Sequence, residues 1–157
     1  MTEAEVNSIV SSSLTWAWKI PDGPHLKGYN PFDGFGIFKA EGSADGISVY
    51  WESKNLKKPQ AFNFNDLQDH QINNLLMCKR LHSQSLTLFL ICVDYGRRDK
   101  RLFVFRDMEY IFNRKANKES ILKKEFDIRK NFILIKNKHI DFNEIINMPV
   151  EWEYVEG

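Results

Sequence analysis

The sequence predicts an α+β fold in which a mixed β-sheet is flanked by helices. Residues 85–95 are apolar on both faces, which is typical of a central strand covered on both sides. The Asp45-Gly46 pair lies between two apolar runs and indicates an antiparallel hairpin. Residues 2–14 carry apolar side chains at helical spacing, which predicts a flanking helix: Val6, Ile9, Val10 and Leu14.

The bulk composition indicates one globular domain over residues 1–157, with 43% hydrophobic and 27% charged residues. The net charge is +1, but its distribution is uneven. Residues 97–138 hold fourteen Lys and Arg against six Asp and Glu, and the remainder holds eight against fifteen. This division suits an acidic metal site beside a basic surface for a polyanion. A merely solvated basic face is the alternative.

Cysteine usage and hydropathy indicate an intracellular protein. Cys78 and Cys92 lie in apolar runs and are predicted to be buried thiols, which favours a reducing compartment. The acidic, polar N-terminus does not resemble a signal peptide. The longest apolar run, residues 86–93, is too short to cross a bilayer. We therefore expect a cytoplasmic location and no membrane association.

The first half of the chain is predicted to bring two acids together. After the helix, residues 15–29 form a loop, or a short strand followed by a loop, in which Trp16 and Trp18 are expected to pack. Residues 32–38 and 47–53 are predicted strands joined by a turn over 40–46. Asp33 and Glu52 then come from adjacent antiparallel strands. Asp45 is the rival acid, but the turn explains it.

The second half continues with alternating helices and strands. Asn65 or Asp66 is expected to cap a helix ending near Ser83. Gln71 is the polar member of its predicted buried face, so we expect it to hydrogen-bond either a structural partner or a group in an active site. That face comprises Leu67, Gln71, Asn74, Leu75, Cys78 and Leu81. The later predictions are strands over 85–95, 102–105 and 131–136, helices over 108–112 and 142–147, partly helical structure over 115–130, and a basic C-terminal extension from about residue 106.

Glu52 and Lys54 form the candidate chemical centre. Side chains alternate across a strand, so the two point to the same face, roughly 6–7 Å apart. A carboxylate beside an ammonium can hold a metal ion and a reacting phosphate. The alternative is a solvated charge pair of the kind that is common in strands.

The ordered motifs resemble the PD-(D/E)XK nuclease superfamily with its restriction-endonuclease-like core. Within it, the chain is similar to the RecU-type Holliday junction resolvases and their phage relatives over residues 1–105. Asn55 departs from the usual Ser or Thr, and the family's stalk is reduced at most to the 39–46 turn. The matching segments are Asn30-Pro31-Phe32-Asp33, Glu52-Ser53-Lys54, Phe62 and Phe64, and His70-Gln71-Ile72.

The resemblance implies a site for Mg²⁺, or for Mn²⁺. Asp33, Glu52 and the carbonyl of Ser53 would be metal ligands, joined by an acid of the N-terminal helix, either Glu3 or Glu5. Lys54 would stabilise developing charge, and Gln71 would hold the attacking water or the phosphate. The residues expected to track the DNA backbone are Lys57, Lys58, Arg97, Arg98, Lys100 and Arg101.

Four functions are consistent with these features. The first is a homodimeric Holliday junction resolvase, since paired incisions in a four-way junction need two sites. The second is a nuclease acting on other branched, nicked or single-stranded DNA, which the missing stalk favours. The third is a non-catalytic DNA-binding protein on the same scaffold, and the fourth is a structural or regulatory partner protein.

Overall fold

The computed structural model describes residues 1–20 and 31–154, which fold around one six-stranded sheet. The loop predicted after residue 20, with Asn30 of the first motif, lies outside these residues. The strands, in both chain and sheet order, are β1 (Trp16–Lys19), β2 (Gly34–Phe38), β3 (Ile47–Leu56), β4 (Leu86–Asp94), β5 (Lys100–Phe105) and β6 (Phe132–Leu134).

The sheet is mixed, and β3 extends past the strand that pairs with it on one side. β3 and β4 are parallel, and the other four neighbouring pairs are antiparallel. β2 pairs with residues 47–51 of β3, whereas β3 continues to Leu56 alongside β4. Residues 52–56 therefore extend beyond the end of β2. The predicted mixed sheet flanked by helices is confirmed.

Helices cover both faces of the sheet. They are α1 (Glu3–Ser13), α2 (Asp69–Leu81), α3 (Met108–Ala116), α4 (Lys123–Ile128) and α5 (Phe142–Ile146). The α1 face buries Val10 and Trp51 in one apolar cluster, and the α2 face buries Leu75 and Phe89 in another. β4 is buried from Leu86 to Val93 because both clusters meet on it, as its sequence predicted.

The start and the buried face of α2 differ from the prediction. A 3₁₀ turn over Phe64–Asp66 precedes the helix, which begins only at Asp69. Leu67 therefore lies outside the helix, and helical spacing counted from it does not apply. The buried helical residues are Ile72, Leu75 and Leu76, while Leu81 is 82% exposed. Among the described residues, no helix is both long enough and apolar enough to cross a bilayer.

Candidate active site

Asp33 lies immediately before β2, where the pairing of β2 with β3 stops. Its backbone N–H donates to the carbonyl of Trp51 at 3.0 Å. Its side chain pairs with the next free backbone N–H of β3: Oδ2 accepts the backbone N–H of Ser53 at 2.8 Å and the Ser53 hydroxyl at 3.2 Å. The residue before the first residue of β2 thus holds its carboxylate against residues 52–56 of β3, which β2 does not cover.

Glu52 is the buried carboxyl of the site, at 1% exposure. The pKa of Glu52 is raised to about 9, first by burial and then by the neighbouring Asp33 carboxylate, while Lys54 opposes the shift. The Oε2 atom has no hydrogen-bond partner among the described residues. Two adjacent carboxyls with one unpartnered oxygen need either a shared proton or a bound cation. The predicted approach of Asp33 and Glu52 is therefore present.

Lys54 and Gln71 both contact the other oxygen of Glu52. Lys54 Nζ lies 3.5 Å from Glu52 Oε1, and Gln71 Nε2 donates to the same atom at 2.5 Å. The Gln71 carbonyl accepts the backbone N–H of Gln68 at 3.0 Å, at the start of α2. Because the Gln68 N–H takes the side-chain carbonyl oxygen of Gln71 as its acceptor, the NH₂ group of the same side chain must face Glu52. Gln71 thus has a specific partner, and the partner belongs to the site.

Asn7 of α1 approaches β3 from the opposite face of the sheet. Its Oδ1 accepts the Trp51 indole N–H at 3.1 Å and the Ser53 hydroxyl at 2.5 Å. Sequence reasoning considered only acids on this helix and missed Asn7. Its position next to Val6 on the buried side of α1 was the available signal, since a buried amide needs partners. Asn7 holds Ser53, and Ser53 in turn holds Asp33.

The N-terminal acids do not complete a metal group. Glu5 is 61% exposed, and its carboxylate accepts the backbone N–H of Thr2 at 3.0 Å in a capping box. Glu3 is exposed at the first position of α1. Within residues 1–20 and 31–154, no group of three or more His, Cys, Asp and Glu side chains is arranged to hold a metal. That Glu3 or Glu5 joins Asp33 and Glu52 stays a prediction, and the capping box gives Glu5 a structural explanation.

The carbonyl of Ser53 remains a candidate ligand. In an extended strand, the N–H and C=O of one residue point to the same edge. The N–H of Ser53 bonds Asp33, so its carbonyl faces the same uncovered edge. Asn55, the departure from the family pattern, donates to the Met1 carbonyl at 2.5 Å and so ties the start of α1 to β3.

Most of the predicted DNA-binding residues gather at one end of the sheet. Lys57 and Lys58 are exposed directly after β3, and Arg97 and Arg98 are exposed in the β4–β5 turn. The strand register aligns the end of β3 with the end of β4 and the start of β5. These cations therefore lie at the end of the sheet toward which Lys54 also lies.

Arg101 differs from its neighbours. Its guanidinium binds Asp99 at 2.9 Å and stacks over the rings of Tyr95 and Phe132, at 4.1 and 4.8 Å. These contacts brace the β4–β5 hairpin and explain Arg101 structurally. That Arg101 contacts the DNA backbone stays a prediction, and the bracing of the β4–β5 hairpin is its structural alternative.

A groove of about 710 Å³ runs beside α1. One wall is the small, polar side of α1, with Ser8 and Ser12, and the other carries Arg98, Lys100 and Lys138. Glu5 also lines the groove, near its end at Met1. None of the three cations forms an ion pair with a carboxylate in the described part of the chain. The groove is therefore complementary to a polyanion.

Three arginines of the basic C-terminal segment are occupied with internal contacts. Arg114 binds Glu125 at 2.8 Å, and buried Arg129 donates to the Glu153 carbonyl at 2.6 Å. Arg106 donates to the Met148 carbonyl. These arginines hold the C-terminal elements together, so the excess charge of residues 97–138 is not one continuous binding surface.

Comparison with known proteins does not extend this description. No protein-family model matches the chain, and no curated protein matches it at a significant level. The geometry of the Asp33–Glu52–Lys54 centre and the ordered motifs around it are therefore the basis for a functional interpretation.

Proposed function

We propose that the protein is a divalent-metal-dependent DNA endonuclease of the PD-(D/E)XK type, acting on four-way junctions as a Holliday junction resolvase. One observation carries the proposal. Glu52 is buried against Asp33 with one oxygen unpartnered among the described residues, at the uncovered edge of β3 and beside Lys54. Burying the Glu52 carboxyl beside the half-buried Asp33 carboxylate is costly for a structural element, whereas a cation between them removes the cost.

The donor set suits Mg²⁺, with Mn²⁺ as an alternative. Asp33 and Glu52 would supply carboxylate oxygens, and Ser53 would supply its carbonyl. Magnesium is commonly held by one or two carboxylates together with substrate phosphate and water, so a third acid is not required. The ion would neutralise phosphoryl oxygens and lower the pKa of an attacking water.

The chain's own residues would orient the substrate and the metal ligands. Lys54 is the cation nearest Glu52, and its ammonium would neutralise charge that develops on the phosphate. Gln71 bonds Glu52 directly, so it is a positioning residue that fixes the direction of that carboxylate. Asn7 and Ser53 do the same for Asp33.

DNA would approach along the cationic end of the sheet. Lys57, Lys58, Arg97 and Arg98 would contact phosphates without reading sequence. Symmetric incision of a junction needs two such sites, so the active form would be a homodimer. Its place would be the cytoplasm of a bacterium or of a phage-infected cell.

A nuclease acting on other branched or single-stranded DNA is the second candidate. It is favoured by the short connection between β2 and β3, which spans only residues 39–46 and leaves no room for a junction-engaging stalk. A non-catalytic DNA-binding role is the third candidate, and the intact set of Asp33, Glu52 and Lys54 argues against it.

Cleavage of a labelled four-way junction and of a matched linear duplex tests the proposal. We expect paired, symmetric nicks in the junction alone with Mg²⁺, lost with chelator and in Glu52→Ala. Cutting of linear or flapped substrates as well would support the second candidate. Tight DNA binding without cutting in any divalent metal would overturn the assignment of an enzyme.

A further inference from the structure

The strand pair β1–β2 presents an exposed aromatic face. Trp16 and Trp18 are 50% and 56% exposed, although the sequence indicated that they pack. They lie on the same face of β1, and the Phe35 ring of β2 sits between them, with centroids 5.9 and 6.2 Å away. Ile37, 42% exposed, completes this surface opposite Trp16. We call these four residues the aromatic platform.

The aromatic platform lies on the same sheet face as the candidate site. Phe35 pairs with Tyr50 of β3, and Glu52 follows two residues later on the same side. Strand spacing places Trp18 roughly 12 Å from Glu52, a distance that a few nucleotides span. The platform thus shares its sheet face with Glu52 and Lys54.

The geometry of the platform suits unpaired bases. Trp18 and Phe35 are nearly parallel, 16° apart, so Phe35 supports the indole and limits its rotation. Rigid, exposed ring faces stack on bases of any sequence, but a base inside a duplex has its faces covered by neighbours. Lys54 on β3, with Lys57 and Lys58 directly after it, would hold the phosphates of the same DNA strand.

We propose that this platform stacks unpaired bases next to the scissile phosphate and thereby selects branched or single-stranded DNA over duplex. The inference rests on the nuclease proposal and deepens its second candidate, the nuclease acting on other branched or single-stranded DNA, because the bases of a four-way junction are all paired. It supplies a source of structure selectivity in a chain whose β2–β3 connection is short. A second copy of the chain is the competing occupant, but a specific protein interface buries about 1,200 Å² or more, and four side chains on two short strands provide far less.

The test measures binding of a fluorescein-labelled oligothymidylate of roughly 16 nucleotides and of a duplex of equal length, in chelator, so that cleavage plays no part. Trp16→Ala/Trp18→Ala should weaken oligothymidylate binding at least about tenfold and change duplex binding little. Trp18→Phe should retain most of the affinity. Trp152→Ala is the matched control, since Trp152 is 40% exposed but lies near the C-terminus.

Intrinsic fluorescence provides a second readout. Oligothymidylate should quench the emission of the wild-type protein, and the double variant should lose that quenching, because the remaining Trp51 is fully buried and Trp152 lies near the C-terminus, outside the platform. Unchanged oligothymidylate affinity in a folded double variant would overturn the inference. A change of oligomeric state with unchanged affinity would assign the platform to a second copy.

The two proposals fail separately. Loss of cleavage in Glu52→Ala together with tryptophan-independent binding would reject only the platform. Tryptophan-dependent binding by a protein that cuts no substrate would reject only the nuclease.

Discussion

Two buried carboxyls, Glu52 and Glu153, have opposite surroundings. Both are 1% exposed, and burial raises the pKa of each. Glu153 accepts the backbone N–H groups of Arg106 and Asp107 at 2.5 and 3.0 Å, at the start of α3. Glu52 instead receives one amide and one ammonium, and it faces Asp33.

The comparison separates a structural carboxyl from the proposed metal ligand. Glu153 accepts two backbone N–H groups at the start of α3 through one oxygen, which anchors the 3₁₀ turn over Val150–Glu153 to α3. Its other oxygen, like that of Glu52, has no hydrogen-bond partner among the described residues, but its nearest charged neighbour is Arg106, at 3.9 Å. Glu52 sits against a second carboxyl, an arrangement that only a proton or a cation relieves. Burial alone therefore does not mark a catalytic residue; the kind of partner does.

Glu52→Gln should produce the largest effect. Gln keeps the shape of the side chain and its bond to Gln71 but cannot neutralise a cation, so we expect cleavage to fall by about 10²–10³-fold or more. Single-turnover cleavage of the best substrate in Mg²⁺ measures this. Full activity in Glu52→Gln would remove the distinction between the two carboxyls.

Glu153→Ala should lower stability instead of chemistry. It leaves two backbone N–H groups and nearby arginines without their acceptor, which should reduce the free energy of unfolding by about 3 kcal/mol. Urea denaturation measures the loss. Glu153→Gln retains an acceptor and should cost about 1 kcal/mol. Activity per folded molecule should stay at the wild-type level, and a selective loss of activity would contradict the structural role.

The pH dependence of stability should come largely from Glu52. Between its ordinary pKa of 4.5 and its folded value of about 9, the folded protein binds a proton that the unfolded chain releases. Stability in chelator should therefore fall as pH rises through this window, by up to about 1.4 kcal/mol per pH unit. Denaturation midpoints from pH 5.5 to 8.5, a range of about three units inside that window, provide the measurement.

Two controls isolate this effect. Glu52→Gln should remove most of the slope and be more stable than the wild type at the alkaline end, where the charged carboxylate is disfavoured. Mg²⁺ should reduce the slope, because it binds the deprotonated form and releases the proton. A wild-type slope that persists in Glu52→Gln would locate the titrating group elsewhere.

The sequence predicted the fold through its hydrophobic pattern, and the centre through its strand alternation. Asp33 and Glu52 meet because a hairpin joins their strands, and hairpin signals are local. The two arrangements that were missed are not local. Asn7 acts across the sheet on Ser53, and Leu81, the last residue of α2, lies off the face that buries Ile72, Leu75 and Leu76. Charge counting also grouped Arg114 and Arg129 with exposed lysines, since composition cannot distinguish an internal ion pair from a surface.

The smallest expected effect concerns DNA affinity. It tests whether the lysines after β3 contact DNA while those of the C-terminal half do not. Lys57→Gln/Lys58→Gln should weaken DNA binding several-fold and lower the slope of log affinity against log salt by about 2, since each phosphate contact contributes about 0.9. Lys124→Gln/Lys130→Gln, at exposed positions in the C-terminal half, is the matched control and should change neither quantity. Titrations between about 50 and 200 mM salt measure both pairs. An equal lowering of the slope in both variants would mean that the basic C-terminal segment also contacts DNA. Its ion pairs would then leave enough exposed charge to bind.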